Sequence, residues 1–384
     1  MNKLIIGILF LSVAAQSSYE SVLQQIETNN TTLAALRQQT DAHKIGNRTG
    51  LLPDNPEVEF SHLWGIENRM DFSVTQTFDF PTVYKHRSRI AALQNEGAEQ
   101  SYKAQRIEVL LLAKQTCIEL VYYNILAKEY DMRLKNAQLV ANAYKTKLDK
   151  GETNILEYNK AQLNLTSVQV EAAQIETQRT DLLAQLKRLN GGKEITFLAE
   201  SYPANTLPSN FEEWYATAES KNPELQFVRK QIEIDMQQIK LSRAMGLPKF
   251  SAGYTSEISG DESSHGIAVG LSIPLWENKN RVSEARAQAR AAESALKDSQ
   301  VQFYNRLQSQ YLKAVSLQQN ALKFRQSLTE NGNESLLKKA LDAGEISLLD
   351  YLREIEYYYD TMNKVLEMER DFEIAAAEFL GIPR

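Results

Sequence analysis

Two hydrophobic periods alternate along this chain, and each occurs twice. Phe72, Val74, Gln76, Phe78 and Phe80 alternate with Ser73, Thr75, Thr77 and Asp79, which gives one largely apolar face, one polar face and a predicted strand. The same period of two returns where Ile267, Val269, Leu271, Ile273 and Leu275 alternate with Ala268, Gly270 and Ser272. Fainter partner strands are read at 57–64, through Val58, Phe60, His62 and Trp64, and at 250–259, through Phe250, Ala252, Tyr254 and Ile258. Helical patterning precedes each strand pair, from about Tyr19 to Gly46 and from Pro223 to Met245, where Leu225, Val228, Ile232, Met236 and Ile239 form a stripe. Leu52-Pro53 and Leu247-Pro248 close these helices, because the residue before proline is pushed out of the α region.

After each strand pair comes a proline and then a long stretch without breakers. Val83 to Lys150 has no proline and Gly97 as its one glycine; Asn278 to Ala343 has no proline and Gly332 as its one glycine. At 1.5 Å per residue such helices reach on the order of 100 Å. Helices of that length need lateral support along their sides, and alanines such as Ala285, Ala289 and Ala292 supply small contact surfaces. Heptads are not sustained, so a wall of helices fits better than a single coiled-coil seam. Gly151 and Gly344 reverse the chain, and Thr153 or Ser347 stands where the next helix can be capped. Return helices are expected at 154–190 and 347–380.

The two halves are copies. Leu148-Asp149-Lys150-Gly151-Glu152-Thr153-Asn154-Ile155-Leu156-Glu157-Tyr158 recurs as Leu341-Asp342-Ala343-Gly344-Glu345-Ile346-Ser347-Leu348-Leu349-Asp350-Tyr351, with six of eleven positions identical at an offset of 193 residues. Pro81 and Pro274 keep that offset. A register held from the prolines to the glycine turns indicates duplication. The expected organisation is a first repeat, 16–208, with a β-hairpin at 57–80, a long α-hairpin at 83–190 and a linker at 191–208. A second repeat, 209–384, has helices at 209–245, a β-hairpin at 249–275 and a long α-hairpin at 278–380.

Composition narrows the function. A net charge of −6 and the absence of a basic stripe argue against a nucleic-acid binder. Lys3, the apolar stretch Leu4–Val13 and the small residues Ala14 and Ala15 read as a signal peptide, residues 1–15, so export is expected. No later run of 18 apolar residues predicts a membrane helix. Crossing a membrane then requires a closed barrel, because only that alternative satisfies every backbone polar group in lipid. Cys117, the one cysteine, can form no intrachain disulfide and sits in a helical run as a small apolar side chain. His43, His62, His86 and His265 are scattered, and no metal or cofactor site is read. No phosphate loop, nucleophile elbow or His-Glu-x-x-His motif supports an enzyme. The adjacent Tyr357, Tyr358 and Tyr359 read as helix-packing aromatics.

Four strands per chain are too few for a membrane barrel, which starts at about eight. Two chains would give a barrel filled by side chains; three would give twelve strands and room for a channel, so a homotrimer is expected. A coiled-coil scaffold or secreted adhesin is the rival reading, and it leaves the four amphipathic strands unused.

The duplicated Leu-x-x-Gly-Glu-x-x-x-Leu-(Asp/Glu)-Tyr turns, with the strand-proline-long-helix junctions at Pro81 and Pro274, resemble the TolC family of outer-membrane factors over nearly the whole mature chain. The resemblance implies a mainly α protomer with a small β part. It implies a trimer whose twelve-stranded outer-membrane β-barrel continues as a twelve-helix periplasmic α-barrel. Its implied function is the exit duct of a tripartite efflux system. The implied partners are a periplasmic adaptor, docking on hairpin tips at Leu148, Gly151, Glu152, Leu341, Gly344 and Glu345, an inner-membrane efflux pump of RND type, and outer-membrane lipid. Family carboxylates that narrow the periplasmic entrance match Asp350 and Glu157. One turn on, where some members carry a second acid, this chain departs with Arg353, which could pair with Asp350 as a latch. The stretch Leu51-Leu52-Pro53-Asp54-Asn55-Pro56-Glu57 is similar to the start of the barrel domain in the heavy-metal-efflux branch.

Overall fold

The structure is a computed structural model that describes residues 19–65, 68–203, 205–332 and 334–381. The signal-peptide reading at 1–15 and part of the 65–69 loop lie outside them. The chain divides into a helical unit, formed by residues up to Ala34, Arg106–Ala218 and from Tyr304 onward, and a sheet-bearing unit, Ala35–Gln105 with Glu219–Phe303.

In the sheet-bearing unit, β1 (Glu57–Leu63), β2 (Arg69–Phe78), β3 (Lys249–Ser259) and β4 (Glu262–Ser272) form one antiparallel sheet in the order β1-β2-β3-β4. The two repeats meet along β2 and β3, where Phe78 faces Phe250 and Val74 faces Tyr254. The register sorts side chains by face. Val58, Val74, Tyr254 and Ile267 share one row and Phe78, Phe250 and Leu271 another. The alternate rows are Glu59, Ser73, Thr255 and Gly266, then Ser61, Asp71, Glu257 and Ser264. The apolar face is bare: Ile267 is 84% exposed and Val269 81%. Both β1 and β4 are sheet edges. Below the sheet, Val83 and Ile90 of the long helix α3 (Pro81–Asp149) pack with Leu241 and Ala244 of α6 (Pro223–Ala244). Asp79 pairs with Arg87 at 3.0 Å.

Helix α3 runs unbroken from Pro81 to Asp149, 69 residues, or roughly 100 Å. Pro81 occupies its first position, where a missing N–H leaves nothing unsatisfied. The second repeat differs. Pro274 is followed by a turn at 275–280 that contains Asn280 at φ 70°, and α7 begins only at Arg281, not at Asn278. That helix also stops at Asn331, and α8 (Glu334–Ala343) is separate. The expectation of one continuous helix from 278 to 343 is therefore corrected. Gly332 is not helical, as its poor propensity allows, and the Asn331 side chain donates to the Ser327 carbonyl at 2.9 Å. The first helix is likewise divided, into α1 (19–29) and α2 (Thr31–Gly46), around Asn30, whose Oδ1 accepts the Leu33 N–H at 2.8 Å. Along α6, Leu225 of the expected stripe is buried, Val228, Ile232 and Ile239 are half-buried and Met236 is exposed, while Leu241 and Ala244 are fully in the core.

The helical unit is built on α4 (Ile155–Leu189), α5 (Phe211–Lys221), α8, α9 (Leu348–Leu380) and the distal part of α3. One core joins Tyr19, Val22 and Ile26 of α1 to Ala113, Cys117 and Val121 of α3, Leu186 of α4 and Ala377 of α9. Ile195 and Phe197 of the inter-repeat linker complete it. Among the described residues α3 contains a window apolar enough by composition to span a membrane, although it is no uninterrupted apolar run. Half of that window is buried, so it reads as core. Burial pushes the Cys117 thiol up to about 12, which suits a packed side chain and not a nucleophile.

Candidate functional site

The glycine turns fold as a matched pair. In the first, the Gly151 N–H donates to Leu148 O at 2.9 Å and the Glu152 N–H to Lys147 O at 2.8 Å; in the second, Gly344 donates to Leu341 O at 3.1 Å and Glu345 to Ala340 O at 2.9 Å. These are two Schellman closures. Gly151 has φ 76° and Gly344 φ 74°, a region that a Cβ disfavours.

Three residues later each return helix is capped. Ser347 caps α9, with the Asp350 N–H donating to its Oγ at 3.1 Å. In the first copy the cap is Asn154, whose Oδ1 accepts from the Glu157 N–H at 3.0 Å. Thr153 is thus corrected by one residue, and the cap positions keep the 193-residue offset.

The acids of the entrance reading, Glu157 and Asp350, follow each cap by three residues. Ser347 Oγ donates back to Asp350 Oδ2 at 2.6 Å. Lys160 Nζ lies 2.9 Å from Glu157 Oε1. Arg353 Nη2 lies 3.9 Å from Asp350 Oδ1 and 3.4 Å from Glu354 Oε1. Lys160 stands 193 residues before Arg353, so the acid-then-base pairing belongs to both copies. Sequence reading missed Lys160, although the offset points to it. Each acid serves its own helix N-terminus electrostatically; the Asp350–Arg353 pair faces solvent and adds little to stability, while Glu157 and Lys160 are half-buried.

Of the tip residues, Leu341 is buried, Leu148 half-buried, and Gly151, Glu152, Gly344 and Glu345 are exposed. Leu156 and Leu349, again 193 apart, stand exposed on the first turns of the return helices at 65% and 56%. Behind them both hairpins share one core, in which Val140 and Tyr144 of α3 and Leu165 of α4 meet Leu341 of α8 and Leu348 and Tyr351 of α9.

Deeper along the hairpins, Arg133 of α3 is buried. Its guanidinium lies 4.5 Å from the Tyr130 ring and 4.2 Å from the Tyr359 ring, and it donates to Asn363 Oδ1 at 2.9 Å. Cation–π contacts of this kind hold a charge in a dry setting, and here they tie the outgoing helix of one repeat to the return helix of the other. Beside it a polar cavity of about 250 Å³ is lined by Asn136, Asn164, Glu171 and Asp360. No sequence pattern marked Arg133, since one arginine in a long helix looks like any solvated charge.

No family model matches the chain. A protein of Pseudomonas aeruginosa, "Alkaline protease secretion protein AprF", is 23% identical over 317 residues, covering 77% of this chain and 65% of that protein. The chain thus spans just under two thirds of that relative's length. Among solved structures, the CusC channel superposes with a TM-score of 0.80 at 13% identity, covering 94% of this chain and 91% of that one. The CmeC outer membrane channel of Campylobacter jejuni gives 0.74 at 16% identity over 95% and 85%. The outer membrane protein VceC of Vibrio cholerae gives 0.75 at 14% identity over 97% of each chain.

Proposed function

We propose that this chain, which has the fold of the TolC-family outer-membrane channels, is one third of a homotrimeric duct. The duct passively carries substrates handed over by a periplasmic adaptor and an inner-membrane efflux pump of RND type across the periplasm and the outer membrane. One observation carries the reading: the four-stranded sheet has two unpaired edges and an apolar face that no other element among the described residues covers. In water such a sheet is an aggregation hazard; closed against copies of itself and faced with lipid, it is satisfied on every side. The polar face, with Glu59, Asp71 and Glu257, then lines the lumen. A scaffold or adhesin gives the apolar face nothing to meet. The name of the Pseudomonas aeruginosa relative, a secretion protein, supports outward transport as the general task.

In this reading the hairpin tips form the periplasmic entrance. Glu157 and Asp350 narrow it, each tempered by its own base, Lys160 or Arg353, so the ring is mixed in charge instead of acidic. The exposed Leu156, Leu349, Glu152 and Glu345 make the docking surface for the adaptor.

The test is fractionation together with deletion. The protein should sediment with outer membranes, need detergent for extraction and form channels in planar bilayers, and its loss should sensitise cells to at least one toxic compound. A detergent-free monodisperse monomer without channel activity overturns the proposal.

A further inference from the structure

Away from the tips, the helical unit holds a buried carboxyl that the duct does not use. Glu373 of α9 is 7% exposed. Its Oε2 accepts one hydrogen bond, from Asn205 Nδ2 at 2.5 Å, and it forms no ion pair among the described residues. An ionised carboxylate has room for about four such bonds. The groups that face it come from every side: Tyr19 of α1, Lys114 of α3, Tyr202 of the inter-repeat linker and Glu369 on its own helix. Tyr19 and Tyr202 have buried hydroxyls with no hydrogen-bond partner, so neither supports the carboxylate. Lys114 is itself disfavoured as a cation by burial.

The linker is a strap over this node. Ile195 and Phe197 sink into the core, with Phe197 edge-on to Tyr19 at 5.2 Å, and the Asn124 side chain donates to Ala199 O at 3.0 Å. Asn205 then fastens the strap to α9 through Glu373.

We propose that Glu373 and Asn205 form a proton-controlled clasp on the segment joining the two repeats, closed when the carboxyl is neutral and loosened when it is ionised. A buried carboxylate with one donor is poorly solvated, and the nearest way to solvate it is to lift the strap and admit water. Burial is the main cause that pushes the Glu373 carboxyl from 4.5 up to about 7, against the opposing pull of Asn205 and Lys114. The sign follows. A carboxyl raised in the folded state contributes stability that is complete below 4.5 and lost as pH rises through about 7. The clasp therefore holds fully below about pH 4.5, loosens progressively as pH rises to about 7 and is slack above it. This inference does not depend on the duct reading.

Hydrogen exchange of the full-length protein in detergent tests it, read by mass spectrometry on peptides covering residues 195–203 and corrected for the intrinsic pH dependence of exchange. Opening of the strap should rise about tenfold between pH 6 and pH 8 and then level off. In Glu373→Gln, a neutral acceptor of the same shape, opening should stay at the acid-side level throughout. In Lys114→Met, which removes the cation that favours the ionised form, the rise should continue to higher pH. Flat opening in the wild type, or a rise that persists in Glu373→Gln, overturns the clasp; if Glu373→Gln does not fold, an unchanged midpoint in Lys114→Met overturns it.

Discussion

Ser347 carries two duties that can be separated. Its Oγ accepts the Asp350 N–H and donates to the Asp350 carboxylate, so it both starts α9 and orients the acid that the entrance reading relies on. Ser347→Ala should lower stability by about 1 kcal/mol, the usual value of a lost N-cap, in thermal melts of the detergent-solubilised protein. Asn154→Ala should do the same for α4. Asp350→Ala keeps the cap bond from the residue's own N–H to Ser347 Oγ and removes the carboxylate, with its charge and its bonds to Ser347 and Arg353. Single-channel recordings should then show a higher conductance; an unchanged conductance would assign Asp350 to helix-end electrostatics alone. Gly344→Ala tests the turn itself: at φ 74° a Cβ should cost roughly 1–2 kcal/mol, again visible as a lower melting temperature.

At the scale of elements, the strands carry the sharpest expectation. Val269 lies on the bare face and Thr255 on the opposite one. If lipid meets the bare face, Val269→Arg should be disfavoured by about 2–4 kcal/mol near the bilayer midplane and give little protein in the outer membrane. Thr255→Arg should insert normally and alter conductance; equal yields of the two variants would sink the assignment of faces. The strands were legible because a period of two over nine residues such as Phe72–Phe80 admits no helical reading. The glycine turns were legible because duplication printed them twice. Other features were not. Gly332 inside an otherwise helical run is compatible with continuation or with a break, and the choice depends on tertiary surroundings that sequence does not show. The turn at 275–280 has no counterpart after Pro81, so the repeat register misled there. Thr153 and Asn154 are both good caps by residue type, and the chain's geometry selects the second. Along α6 a stripe through Met236 and a face through Leu241 and Ala244 are both apolar, and only packing decides which is buried.

For the whole molecule, the question is whether the two open edges close, and at what number. β1 and β4 lie at opposite edges of the sheet, so joining one chain's β4 to another's β1 is a heterologous contact. Such contacts make rings if the rotation closes and filaments if it does not. Strand twist and tilt set that rotation, and a small barrel of about eight strands has an interior filled by side chains. Three subunits are therefore the smallest number that gives both closure and a passage. Paired cysteines, one on β1 among Glu59, Ser61 and Leu63 and one on β4 among Glu262, Ser264 and Gly266, can trap the junction. The native Cys117 is buried and should not interfere. At one register, mild oxidation should yield a ladder of one, two and three linked subunits on denaturing gels and no larger species, while each single-cysteine variant stops at two. Linkage that ends at two subunits in the paired variants would mean a filled barrel and no duct, and a ladder running past three would mean an open assembly. Either result removes the proposed channel, because in that proposal the pore is a property of the closed ring and not of one chain.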